Sequence, residues 1–168
     1  MTIFKHSVLL ALTGIGAIAS VCATAESPWL EIISLPLFRF SPSARGETFQ
    51  AVRSQGEWRA LQTSQSNSRA APGSPVPIVD FAKYTLLLVS LGTKPSGGYA
   101  AIIRDARDDG EVIRVSVVEV RPGRTCATTS VLTYPTAAAL IPRTGKAVRF
   151  EIVSADTDCE SLRRSVGS

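Results

Sequence analysis

The sequence predicts a mainly β fold: a small single-domain β-sandwich or partly open barrel with one short N-terminal helix. Three observations predict it. From Val79 onward, stretches rich in Val, Ile and Thr recur at intervals set by Gly, Pro and Asp turns. Several of them alternate apolar and polar residues, as half-buried strands do. Ahead of them stands one compact helix-start signal, Ser54 with Glu57 three residues on. The rival is an α+β arrangement in which the helix covers a sheet face, and the sequence leaves both open.

The order of the chain reads as follows. Residues 1–25 are expected to be a cleavable signal peptide. Lys5 and His6 precede an apolar stretch from Val8 to Val21, and Ala23-Thr24-Ala25 offers small residues before a cut ahead of Glu26. The stretch is too short to span a bilayer comfortably, so no transmembrane segment is expected after cleavage. A lipid anchor at Cys22 is the minor alternative, because Val21 stands where Gly or Ala is normal. Residues 26–46 form an N-terminal extended segment, apolar from Trp29 to Phe40 and interrupted by Pro36. Residues 47–160 form the main domain, and 161–168 a flexible tail.

Within the domain, Glu47 to Arg53 alternates weakly and reads as a short strand. Ser54–Thr63 is the predicted helix, with Trp58 and Leu61 on one face. Gln62 to Pro77 is rich in Ser, Gln, Asn, Gly and Pro and is expected to be a surface loop. Tyr84 to Gly92 reads as a strand. Tyr99–Arg107 and Glu111–Val120 read as a hairpin about Asp108-Asp109-Gly110. Thr128 to Tyr134 is β-branched and is expected to be a strand stopped by Pro135. Ala137 to Ile141 is ambiguous between strand and helical turn. Val148, Phe150 and Ile152 alternate with Arg149 and Glu151, the pattern of a half-buried last strand.

Composition narrows the chemistry. The full chain carries a net charge of +4 at pH 7 and a single histidine. That histidine, His6, leaves with the leader, and with it the usual general base and the commonest metal ligand. The expectation is therefore no enzyme, no cofactor and no metal site. Basic residues are scattered singly, which argues against a nucleic-acid partner. Asp105, Asp108, Asp109 and Glu111 cluster, but not at calcium-loop spacing, so a solvated turn is the expectation. Cys126 and Cys159 remain after cleavage. An even count in an exported, periplasmic or extracellular protein favours a Cys126–Cys159 disulfide over two unrelated thiols.

The most distinctive local feature is Lys94-Pro95-Ser96-Gly97-Gly98-Tyr99, between two strand-like runs. Pro95 fixes one backbone angle, and the two glycines permit positive ones. Such a tip is either a tight structural hairpin or a partner-binding surface, with Lys94 supplying one charge that could set orientation.

Several ordered segments together resemble the PrcB C-terminal domain family. They are Val79-Asp80-Phe81-Ala82-Lys83-Tyr84, Leu91 to Tyr99, Thr133-Tyr134-Pro135 and Ile141-Pro142-Arg143-Thr144, with Cys126 between a Pro-Gly and the Tyr-Pro pair. The upstream helix with Trp58 matches the family's usual lead-in, and the resemblance runs from about Glu47 to Ile152. Ser96 stands where Thr is usual, which keeps the hydroxyl. The family takes its name from a lipoprotein that associates with and stabilises a secreted subtilisin-like protease complex. The resemblance therefore implies an exported, non-catalytic accessory protein that binds a protein partner, with a protease as the candidate.

The same loop is also similar to the Asn-Pro-x-Thr-Gly-Tyr loop of chagasin-type cysteine-peptidase inhibitors. Lys94 and Gly97 depart from that pattern, and Arg121-Pro122-Gly123 lacks the aromatic of the inhibitors' second contact motif. Inhibition through Lys94–Tyr99 is the alternative function.

Overall fold

Two β-sheets lie face to face, and a helix covers the outer face of the larger one. The computed structural model describes residues 29–35, 46–65 and 78–160, with the side chains of 63–65 excepted. The expected signal peptide, Cys22, the bend at Pro36, most of the Ser/Gly/Pro-rich loop and the 161–168 tail lie outside the described residues. The elements are β1 (Ile33–Ser34), β2 (Glu47–Val52), α1 (Gln55–Gln65), β3 (Tyr84–Leu91), β4 (Ala100–Asp108), β5 (Val112–Pro122), β6 (Thr136–Pro142) and β7 (Ala147–Thr157). The first sheet has the order β1-β6-β3-β2 and the second β4-β5-β7. The fold is thus mainly β with one short helix. The helix lies on a sheet face as the α+β rival expected, and no barrel closes.

Strand β3 explains the layering. It is Tyr-Thr-Leu-Leu-Leu-Val-Ser-Leu, apolar at both parities, so both its faces must be covered. Leu87, Val89 and Leu91 point into the core between the sheets, where they meet Ile103 and Ala106 of β4, Ile113, Val115 and Val117 of β5, and Ala139 and Ile141 of β6. Leu86 and Leu88 point the other way, onto Trp58 of α1, Val52, Val79 and Leu140. Trp58 is 1% exposed, so it is a core residue, as its place on the helix face predicts.

The helix begins as the sequence predicts and runs to Gln65. Ser54 Oγ accepts the Glu57 N–H at 3.2 Å. The Glu57 carboxylate reaches back to the N–H of Arg53 at 2.8 Å, one residue before the cap itself.

The β4–β5 hairpin forms about the expected turn, with Gly110 at a φ of 89° and its N–H on Asp108 Oδ1. A bulge between Ile103 and Asp105 lets Ile103 and Ala106 both face the core despite their odd separation. Three of the four clustered carboxylates are paired with cations. Asp108 pairs with Lys146, Asp109 with Arg107 and Arg114, and Asp105 with Arg104.

Two expectations are corrected or resolved. Thr128 to Tyr134 is not a sheet strand; it is irregular chain with a bend at Val131, and its one bridge joins Thr133 to Lys94. Ala137 to Ile141, ambiguous in the sequence, lies in strand β6, which pairs with the β3 edge opposite β2. The last strand, on which the sequence sets no direction, runs parallel to β5.

Residues 29–35 strap one open side of the sandwich. Leu30 donates its N–H to Ala106 of β4, and Ile33–Ser34 pair with β6 of the other sheet. At the opposite side the β2 and β7 edges meet through Phe49 and Phe150, whose ring centroids are 5.6 Å apart.

Candidate functional site

Lys94–Tyr99 is not a hairpin turn, because the strands it joins, β3 and β4, belong to different sheets. The chain leaves β3 through Gly92, which has a φ of 68°, and crosses the end of the sandwich. A crossing loop has no ladder of its own, so its backbone groups need partners elsewhere. Residues 129–135 supply them. Lys94 and Thr133 exchange backbone bonds of 2.9 and 3.0 Å, Gly97 N–H bonds Thr129 O at 2.9 Å, and Leu91 N–H bonds Pro135 O at 3.0 Å. The Thr133 hydroxyl adds a bond to Ser96 O at 2.8 Å.

The two glycines serve different purposes. Only Gly98 has a positive φ, 85°. Gly97 is needed for close approach: a Cβ there would meet Thr129 Oγ1 at 2.5 Å.

The Lys94 side chain is turned inward. Its Nζ lies 2.7 Å from Glu119 Oε1, and the two side chains are only 16% and 8% exposed. Glu119 sits on β5 in phase with Ile113, Val115 and Val117, so it faces the space between the sheets. A carboxylate there must be fully paired to stay charged. Arg121 donates twice to Oε2, at 2.6 and 3.0 Å, and Ser154 Oγ of β7 donates at 2.9 Å. Burial alone would raise the Glu119 pKa. The hydrogen bonds from Lys94, Arg121 and Ser154 override it and hold the group at about 2. The ammonium also stands 5.9 Å from the centroid of the Tyr99 ring. Lys94 and Tyr99 therefore brace the loop from beneath instead of presenting a free charge at its tip.

The outward surface is apolar. Pro95 is exposed at the tip. Beside it, Val131, Leu132 and Tyr134 are 56%, 64% and 43% exposed. Tyr99, Ala100, Ala101 and Thr133 to Thr136 line a shallow groove of about 250 Å³ between the starts of β4 and β6. Ser96 turns its hydroxyl to Gly97 O at 3.1 Å.

Cys126 and Cys159 form a disulfide that ties the chain after β7 to the loop after β5. Gly123 sits tightly in this corner. Its N–H bonds Thr157 O, and a Cβ would meet that same oxygen at 2.9 Å and Cys126 Sγ at 3.3 Å.

The sequence reading located the loop and the disulfide but missed Glu119, Arg121, Ser154 and the 129–135 ledge. One signal for Glu119 was present: a carboxylate at the buried parity of a Val/Ile strand. Nothing local in the sequence pairs it with Lys94.

Residues 85–142 match the family model described as PrcB C-terminal. That segment runs from β3 to β6 and contains the loop, Glu119, Arg121 and the 129–135 ledge. No curated protein and no solved structure matches the chain.

Proposed function

We propose that this chain, whose residues 85–142 match the PrcB C-terminal family model, is an exported, non-catalytic accessory protein that binds an exported protease. The family suggests a subunit associated with a protease complex. Export, the partner and the outcome of binding are the reading proposed here. The contact surface is the tip of Lys94–Tyr99 together with Val131, Leu132 and Tyr134.

The observation that carries this reading is the contrast between the two sides of one loop. Its underside is fixed by a buried ion pair and by hydrogen bonds to the ledge. Its outer side exposes Pro95 next to three large apolar side chains. A rigid apolar projection has already given up conformational entropy before it meets a partner, which favours binding. Among the described residues no helix is long and apolar enough to cross a membrane, and no group of His, Cys, Asp and Glu could hold a metal ion.

The test is affinity capture from the exported fraction, followed by protease assays with the captured partner. Capture of a protease that survives autolysis longer in the presence of this protein supports the reading. Strong inhibition of that protease replaces it with the inhibitor reading. Loss of capture by Leu132→Ser and Tyr134→Ser places the surface. Unchanged capture by both moves it elsewhere on the molecule.

A further inference from the structure

We propose that the free edge of β7 pairs with the same edge of a second copy of this chain, antiparallel, about a two-fold axis through Phe150. β7 is an 11-residue strand whose ladder partner is β5, on one side. Among the described residues no strand pairs with its other side. Such an edge presents a row of backbone donors and acceptors ready for another strand. Its side chains are open as well, with Ile152 and Val153 at 42% and 53% exposure.

The register follows from the sequence of the strand. A two-fold perpendicular to the sheet keeps inner faces beside inner faces only when the axis passes through a residue. An axis at Arg149 sets two arginines against each other, and one at Glu151 sets two glutamates. An axis at Ile152 places Phe150 opposite Ser154 and Val148 opposite Asp156. An axis at Phe150 pairs Arg149 with Glu151 of the second copy, and Glu151 with its Arg149. It also pairs Val148 with Ile152, Ala147 with Val153, and Phe150 with itself. Apolar residues then face apolar ones on the core side, and opposite charges meet on the outer side. Glu151 already accepts from Arg114 Nη1 at 2.6 Å, so in the pair it lies between guanidinium groups of both chains. The edge is self-complementary in this one register, which is what a closed two-fold dimer needs.

Sedimentation equilibrium of the purified, oxidised chain tests this. The expected result is a reversible monomer–dimer equilibrium. Arg149→Glu and Glu151→Arg should each weaken it about tenfold or more, since attraction becomes repulsion at both symmetry-related pairs. A mixture of the two variants should form a heterodimer, because every cross-pair is then complementary. Circular dichroism checks that each variant is folded. A wild-type chain that stays monomeric overturns the proposal, whether the edge amides exchange freely or are protected by another part of the chain. So does a dimer indifferent to Arg149→Glu, or a mixture that does not associate.

Discussion

Lys94, on the loop that crosses between the sheets, and Glu119, on the second sheet, form a largely buried ion pair of 2.7 Å. The pair fixes the position of the loop tip relative to the core. Removing Glu119 leaves the Lys94 ammonium buried without its counter-ion, whereas removing Lys94 leaves Glu119 still paired with Arg121. Glu119→Leu should destabilise by about 3 kcal/mol and Lys94→Met by less, and the double variant should lose clearly less than the sum. Chemical denaturation of the three variants measures the coupling. Additive losses would mean that the two charges act independently.

Acid should expose the same pair. The folded-state pKa of Glu119 lies at about 2, below its ordinary 4.5. A depressed carboxylate pKa contributes stability that is fully present above the unfolded value and is lost as pH falls through the folded one. About 3 kcal/mol should therefore disappear between pH 5 and pH 2 from this group. Asp105, where bonds from Ser116 and Arg104 outweigh burial, and Asp108, bonded by Lys146, act in the same direction. Unfolding midpoints measured across that window should fall less steeply in Glu119→Gln than in the wild type. An equal slope would place the acid sensitivity in other groups.

The two glycines of the loop should respond differently. Gly98→Ala forces a left-handed residue to carry a Cβ and should cost about 1–2 kcal/mol. Gly97→Ala meets the exposed hydroxyl of Thr129, which can turn away, so the cost should be about 1 kcal/mol. Adding Thr129→Ala should remove most of the Gly97 penalty and none of the Gly98 penalty. Thermal melts of the four variants decide the point.

The Cys126–Cys159 bridge closes a sequence separation of 33 residues. By the loop-entropy estimate its loss should cost about 3–4 kcal/mol. Cys126→Ser with Cys159→Ser should match the reduced wild type in denaturant midpoint. Gly123→Ala should destabilise the oxidised protein, because the Thr157 carbonyl beside it is backbone and cannot step aside.

If the exposed ledge meets a partner, Leu132→Ser and Tyr134→Ser should weaken binding by about 1–2 kcal/mol each with little change in melting temperature. Lys94→Ala is a poor probe of that surface, because the ammonium is engaged beneath the loop. A variant that lowers affinity and stability together reports on the brace, not on the contact.

The sequence by itself determined what local chemistry controls. Ser54 and Glu57 start the helix, Asp108 to Gly110 turn the β4–β5 hairpin, and Val148 to Phe150 alternate as a half-buried strand, because capping, turn geometry and side-chain alternation act within a few residues; Ile152, expected to continue that alternation, is exposed. The doubly apolar β3 already required cover on both faces. Tertiary structure alone decided which strands share a sheet. That choice separated β3 from β4, made Lys94–Tyr99 a crossing instead of a hairpin, and drew residues 129–135 out of a predicted strand to satisfy its backbone. It also decided the partner of Lys94. Glu119 lies 25 positions away, and a buried charge is paired by whatever the fold brings within hydrogen-bond reach, which no local spacing encodes.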